Sequence, residues 1–111
     1  MNQQYVSIEQ TDITRLRDSA QEATRLLKSL ANADRLMLLC QLAQGERNVS
    51  ELESLLGIRQ PTLSQQLGVL RDERLVDTRR EGKNVYYRIA SPQALALMRT
   101  LYEQFCGSKP A

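Results

Sequence analysis

The chain has 111 residues, of which 41% are hydrophobic and 25% charged, with 15 Lys+Arg against 13 Asp+Glu. That length and mix fit one globular domain and argue against wholesale disorder. A net charge of +2 is too small by itself to argue for a nucleic-acid partner, and the complete absence of histidine removes the commonest general base.

Aromatic residues are scarce. Only Phe105 and the tyrosines at 5, 86, 87 and 102 are present, so the core must be built mostly from leucine. Met1 to Gln10 is polar and lacks the basic-then-apolar order of a signal peptide. No apolar run approaches the ~18 residues that span a bilayer. The chain therefore reads as a soluble cytoplasmic protein that does not engage a membrane. In that reducing compartment its two cysteines are expected as thiols rather than a permanent disulfide. Residues 1–10 are expected as a flexible segment, 11–106 as one domain and 107–111 as a tail.

Between Asp12 and Leu30 the apolar residues Ile13, Leu16, Ala20, Ala23, Leu27 and Leu30 fall at alternating steps of three and four, one stripe along a helix. Asn32 is placed to cap a second helix, Ala33 to Gln44, which ends at Gly45 and is apolar nearly all round. This is the expected central buried helix. Ser50 with Glu53 has the spacing of a capping box and opens a short helix, Ser50–Leu56, closed by Gly57. Pro61 then stands where a first helical turn tolerates proline, and Leu63, Leu67 and Leu70 stripe a helix over 61–73. Two short helices joined by Gly57-Ile58-Arg59 make a helix-turn-helix, with 61–73 as its reading element.

After Glu73 the period changes. Residues 75–80 and 84–89 are rich in β-branched and aromatic side chains, with Glu81-Gly82-Lys83 between them, which predicts a hairpin with a basic tip, a wing. Ser91-Pro92 opens a last helix over 92–106, with Leu95, Met98, Leu101, Tyr102 and Phe105 on its apolar side. The fold class is mainly α with a small β-hairpin, a winged helix-turn-helix of order ααααββα. Positive charge gathers in its second half. Residues 1–58 carry six Lys+Arg against eight Asp+Glu, and residues 59–88 carry seven against four. The surplus falls on reading helix and wing, the surface that would face phosphates.

The element order, with L-x-x-L-L-G-I followed by QPTLSQQLGVLRDERLVDTRREGKNVYYRI, resembles the ArsR/SmtB family of bacterial winged-helix repressors over about Leu26 to Phe105. The resemblance implies a homodimer built on the first and last helices, which leaves a palindromic double-stranded operator when a ligand or oxidant arrives. Arg59 is a departure, because similar sequences often carry there the serine that caps the reading helix.

Gln60, Thr62, Ser64, Gln65 and Gln66 crowd the first turns of the reading helix. Glutamine can pair in bidentate fashion with an adenine edge, and serine or threonine can meet base edges or phosphate. With Leu63 and Leu67 inward, Thr62, Gln65 and Gln66 are expected on the open side. Arg79, Arg80 and Lys83 cluster near the wing tip as candidate phosphate or minor-groove contacts. Arg71 is assigned to either phosphate or a carboxylate. Tyr86 and Tyr87 fall on opposite faces of a strand, so one should pack on the core.

Cys40 and Cys106 admit two readings. As residues alone they are small buried hydrophobes, the commonest role of free cysteine. By resemblance, a cysteine in the second helix with another ending the last helix looks like the BigR/SqrR subgroup, which senses persulfide and related reactive sulfur species through a dithiol. Metal binding competes weakly: two thiols without histidine do not complete a tetrahedral site, and a soft ion shared across a dimer is the residual possibility. No cofactor is expected. No glycine-rich phosphate loop or carboxylate pair suggests an enzyme. A constitutive DNA-binding protein with inert thiols and a soft-metal-responsive repressor stand as the alternatives.

Overall fold

The computed structural model describes residues 13–107. The expected flexible segment 1–10 and the end of the tail, 108–111, lie outside the described residues. The elements are α1 (Ile13–Leu30), α2 (Ala33–Leu42), β1 (Arg47–Asn48), α3 (Val49–Leu56), α4 (Thr62–Asp72), β2 (Val76–Glu81), β3 (Asn84–Ile89) and α5 (Pro92–Phe105). The winged helix-turn-helix arrangement is present. Its hairpin is the larger part of a three-stranded antiparallel sheet of order β1-β3-β2.

The short strand β1 was not anticipated. It pairs Arg47 with Tyr87 and Asn48 with Tyr86, anchoring the wing to the body just before α3 begins. That anchor also moves the expected helix start. The capping box is Asn48 with Glu51, not Ser50 with Glu53. Asn48 Oδ1 accepts from the Glu51 N–H at 2.8 Å, and Glu51 Oε1 accepts from the Asn48 N–H at 2.8 Å. Asn48 has extended backbone, as a cap must, while Ser50 is already one residue inside the helix.

Other punctuation falls where the sequence places it. Asn32 Oδ1 accepts from the Arg35 N–H, Gly57 closes α3 in the left-handed conformation at φ 71°, and Ser91 Oγ accepts from the Ala94 N–H ahead of Pro92. At the end of α4 the left-handed residue is Arg74, at φ 62°, where glycine is usual. The Arg74 and Leu75 N–H groups donate back to Arg71 and Leu70 carbonyls, and buried Leu75 clamps the turn. The chain thus leaves the reading helix directly into the wing. Glu81 belongs to β2, opposite Asn84, so the hairpin turn is only Gly82-Lys83, with Gly82 at positive φ as a II′-type turn requires.

Helix α2 lies at the centre, packed on by α1, α3, α4, α5 and β3. Leu38 and Leu39 of α2 are fully buried with Leu52 of α3, Leu63, Leu67 and Leu70 of α4, and Met98 of α5. Each such side chain stabilises the fold by roughly 1.5–3 kcal/mol relative to exposure. The leucine core expected from the composition is therefore observed, and it seats α3 and α4 on α2. Tyr87 packs against this core while Tyr86 does not.

Helix α1 behaves differently. Ile13, Leu16 and Leu27 are exposed, at 54%, 44% and 56%, and only Ser29 and Leu30 are buried. Phe105 at the end of α5 is 82% exposed. The apolar stripe of α1 is thus left largely uncovered within one chain. On α5, by contrast, Ala94 and Met98 are buried and Leu97 and Leu101 pack on the core, so of its large hydrophobic residues only Tyr102 and Phe105, near its C-terminal end, are exposed. No described helix is long and apolar enough to cross a membrane.

Candidate nucleic-acid interface and thiol pair

The turn Gly57-Ile58-Arg59 joins α3 to α4, which packs its leucine face on α2 and leaves Ser64 and Gln65 exposed. Ile58 is buried beneath the turn, so its three residues set the angle between α3 and α4. No side chain of residue 59 or 61 caps α4. Instead Gln60 Oε1 accepts from the Ser64 N–H at 3.0 Å, so Gln60 takes up the role that Arg59 left open. Gln60, Ser64 and Gln65 are exposed and Thr62 is half-buried.

Gln66 departs from expectation. Expected on the open side, it is half-buried, and its Oε1 accepts from Arg35 Nη1 at 2.8 Å. The reason is that Gln66 lies three residues after buried Leu63 and four before buried Leu70, so it flanks the inward stripe and reaches Arg35 on α2.

The wing cations divide into two groups. Arg79 lies inside a cage of acceptors. Its Nε is 2.9 Å from both carboxylate oxygens of Glu46, its Nη2 is 2.9 Å from Glu46 Oε1, and its Nη1 is 2.8 Å from Glu81 Oε1. Its guanidinium carbon also sits 4.6 Å from the centroid of the Tyr86 ring, within cation–π range. The hydrogen bond from Arg79 holds the Glu46 carboxyl below the usual carboxylate range, and the same contacts raise Arg79. Arg80 and Lys83 are exposed, and neither takes part in an ion pair among the described residues. Nor does Arg71, which is exposed on the last turn of α4. Glu46 is the functional neighbour that sequence reading missed; it lies in a loop 33 residues from its partner.

Cys40 and Cys106 are both free thiols, Cys40 half-buried and Cys106 exposed. Cys40 Sγ lies 3.6 Å from the thioether sulfur of Met98 on α5. Burial pushes the Cys40 thiol up, and negative charge at Cys106 adds to that shift. Beside Cys40 a groove of about 390 Å³ opens between α2 and α5, lined by Met98, Arg99, Tyr102 and Glu103 among others. Among the described residues no three His, Cys, Asp or Glu side chains gather in a metal-binding group.

A helix-turn-helix whose second helix is seated on a leucine core with its polar face exposed, beside a β-hairpin wing, is the arrangement of a winged helix-turn-helix DNA-binding protein. The model of the bacterial regulatory protein, arsR family, matches residues 32–78. The biofilm growth-associated repressor of Agrobacterium fabrum is 59% identical over 88 residues, covering 79% of this chain and 75% of that protein. The crystal structure of the transcriptional repressor BigR from Xylella fastidiosa superposes with a TM-score of 0.79 at 48% identity, covering 84% of this chain and 95% of that one. Reduced HlyU from Vibrio cholerae gives a TM-score of 0.81 at 37% identity, over 85% and 99% of the two chains. The chain belongs to the arsR family. Its relatives are DNA-binding regulators, not enzymes.

Proposed function

We propose that the protein is a homodimeric cytoplasmic repressor that reads a palindromic operator and releases it when Cys40 and Cys106 are oxidised by persulfide or related reactive sulfur. The relatives named as repressors support the first part, together with the exposed row Gln60, Ser64 and Gln65 on α4, with Thr62 beside it. Gln65 is the base reader in this scheme, and Arg80 and Lys83 supply phosphate contacts from the wing. The uncovered apolar stripe of α1, with exposed Tyr102 and Phe105 at the end of α5, supports the dimer, whose two reading helices would meet half-sites about one helical turn (~34–36 Å) apart.

The observation that carries the switch is the placement of the two thiols: Cys40 on the central helix packs its sulfur 3.6 Å from that of Met98 on α5, the helix that exposed Cys106 ends. Exposed Cys106 is the first to react. Its thiolate attacks the outer sulfur of a persulfide RSSH, giving Cys106–S–SH and RS⁻. The Cys40 thiolate then attacks the inner sulfur and expels HS⁻, leaving a disulfide; a further sulfur donor would instead leave a bridge with inserted sulfur. Either product ties the central helix to the last helix of the dimer scaffold and shifts the spacing of the reading helices.

Footprinting of Cys40→Ser and Cys106→Ser before and after treatment with an organic persulfide tests this. Both variants are expected to bind DNA when reduced and to keep it after treatment. Release by either single variant would remove the two-thiol switch. Intact mass distinguishes the products, because a disulfide loses two hydrogens whereas an inserted bridge gains sulfur.

A further inference from the structure

Arg35 stands in the first turn of α2, and its guanidinium is committed on three sides. Nε donates to the Ser29 carbonyl at 2.7 Å, Nη2 to the Lys28 carbonyl at 3.4 Å, and Nη1 to Gln66 Oε1 at 2.8 Å. Lys28 and Ser29 belong to the last turn of α1, where carbonyls lack partners within the helix and a cation is favoured by the helix dipole. The backbone of Arg35 is itself fixed, since its N–H donates to Asn32 Oδ1 at 3.0 Å. One half-buried side chain therefore closes the end of α1 and grips the second turn of the reading helix.

A glutamine that reads adenine needs both its oxygen and its amide hydrogens. Guanidinium offers only donors, so the group facing Arg35 must be the Gln66 oxygen. A hydrogen bond to a charged donor is roughly twice as strong as one between neutral groups, so this oxygen is not readily given up to a base. A second tie from α1, to the residue just past α4, is the ion pair of Arg25 with Glu73 at 2.8 Å, but the Arg25 side chain is 74% exposed and its pairing is screened by solvent. The Arg35 bond is the firmer of the two.

We propose that Gln66 is a positioning residue rather than a base reader. Through Arg35 it locks the reading helix to the end of α1, the helix bearing the uncovered apolar stripe. The separation of two reading helices across a dimer is then set through α1. This inference rests on the dimeric, palindrome-reading function proposed above.

The test uses the full-length reduced protein and the duplex it selects from a randomised pool. Companion duplexes have the central spacing changed by one or two base pairs, and another carries a single half-site. Wild type is expected to prefer one spacing. Gln66→Met removes the acceptor at nearly constant length and should lose about tenfold of that preference, the scale of one hydrogen bond to a charged group. Its ranking of bases within each half-site should be unchanged. Gln66→Glu keeps an acceptor for Arg35 and should retain both the spacing preference and the base ranking.

A changed base ranking in Gln66→Met would show that Gln66 reads DNA and would overturn the inference. So would an undiminished spacing preference in that variant. If wild type itself bound the single half-site as tightly as the palindrome, the dimeric reading would fail, and this inference with it.

Discussion

Replacing Arg79 with alanine separates the two kinds of wing cation. The Arg79 guanidinium is matched by two carboxylates, Glu46 and Glu81, at 2.8–2.9 Å, so the cluster carries a net negative rather than positive charge. To reach a phosphate Arg79 would have to leave both carboxylates and the Tyr86 ring. Its role is then to brace the wing against the loop before β1, while neighbouring Arg80 projects to the opposite face of the strand. Each phosphate contact contributes a slope of about −0.9 to log affinity against log salt, so between about 50 and 200 mM one contact per protomer costs a dimer about twelvefold in affinity. Arg80→Ala should remove that share of the salt dependence. Arg79→Ala should weaken binding at every salt concentration but leave the slope within about 0.3 of wild type. Fluorescence anisotropy titrations at four or five salt concentrations resolve the difference. Glu46→Gln adds a test of sign. If Arg79 is a brace, removing its partner loosens the wing and weakens binding; if Glu46 merely competes with phosphate, binding tightens. A tighter Glu46→Gln, or an Arg79→Ala slope that falls as much as that of Arg80→Ala, would refute the brace.

Three further outcomes follow from the structure. Asn48→Ala should cost about 1 kcal/mol in urea unfolding, as loss of a helix cap does, whereas Ser50→Ala, inside the helix, should stay within about 0.5 kcal/mol. Leu16→Glu should leave the monomer folded, because Leu16 is 44% exposed and outside the core, yet shift sedimentation at micromolar concentration toward monomer. Because burial raises the Cys40 thiol, its alkylation in Cys106→Ser should keep accelerating as pH rises past the ~8.5 at which an ordinary thiol is half ionised. The sign for stability is the reverse. The folded protein holds this proton more tightly than the unfolded chain, so the contribution is complete below the ordinary thiol range and is lost as pH climbs through the raised value.

What the sequence made legible is what depends on neighbours within a turn or two. The stripe of α1, the caps at Asn32 and Ser91, the glycine at 57 and the change to strand period after Glu73 each reflect local geometry, and each is present in the structure. The misassigned cap shows where local reasoning stops. Asn48-x-x-Glu51 and Ser50-x-x-Glu53 are both valid boxes, and nothing within those six residues chooses between them. The choice is made by Tyr86 and Tyr87, some forty residues away, which hold Arg47 and Asn48 extended and leave the helix free to begin only at Val49. The same holds at the candidate DNA-facing surface. Counting polar residues on α4 and cations on the wing selects a candidate surface but cannot rank its members. Gln66 is turned inward by an arginine 31 positions earlier, and Arg79 is neutralised by a glutamate 33 positions earlier. Each partner comes from α2 or the loop that follows it, so the central helix that forms the core also sorts the reading surface into residues that hold and residues left open to touch.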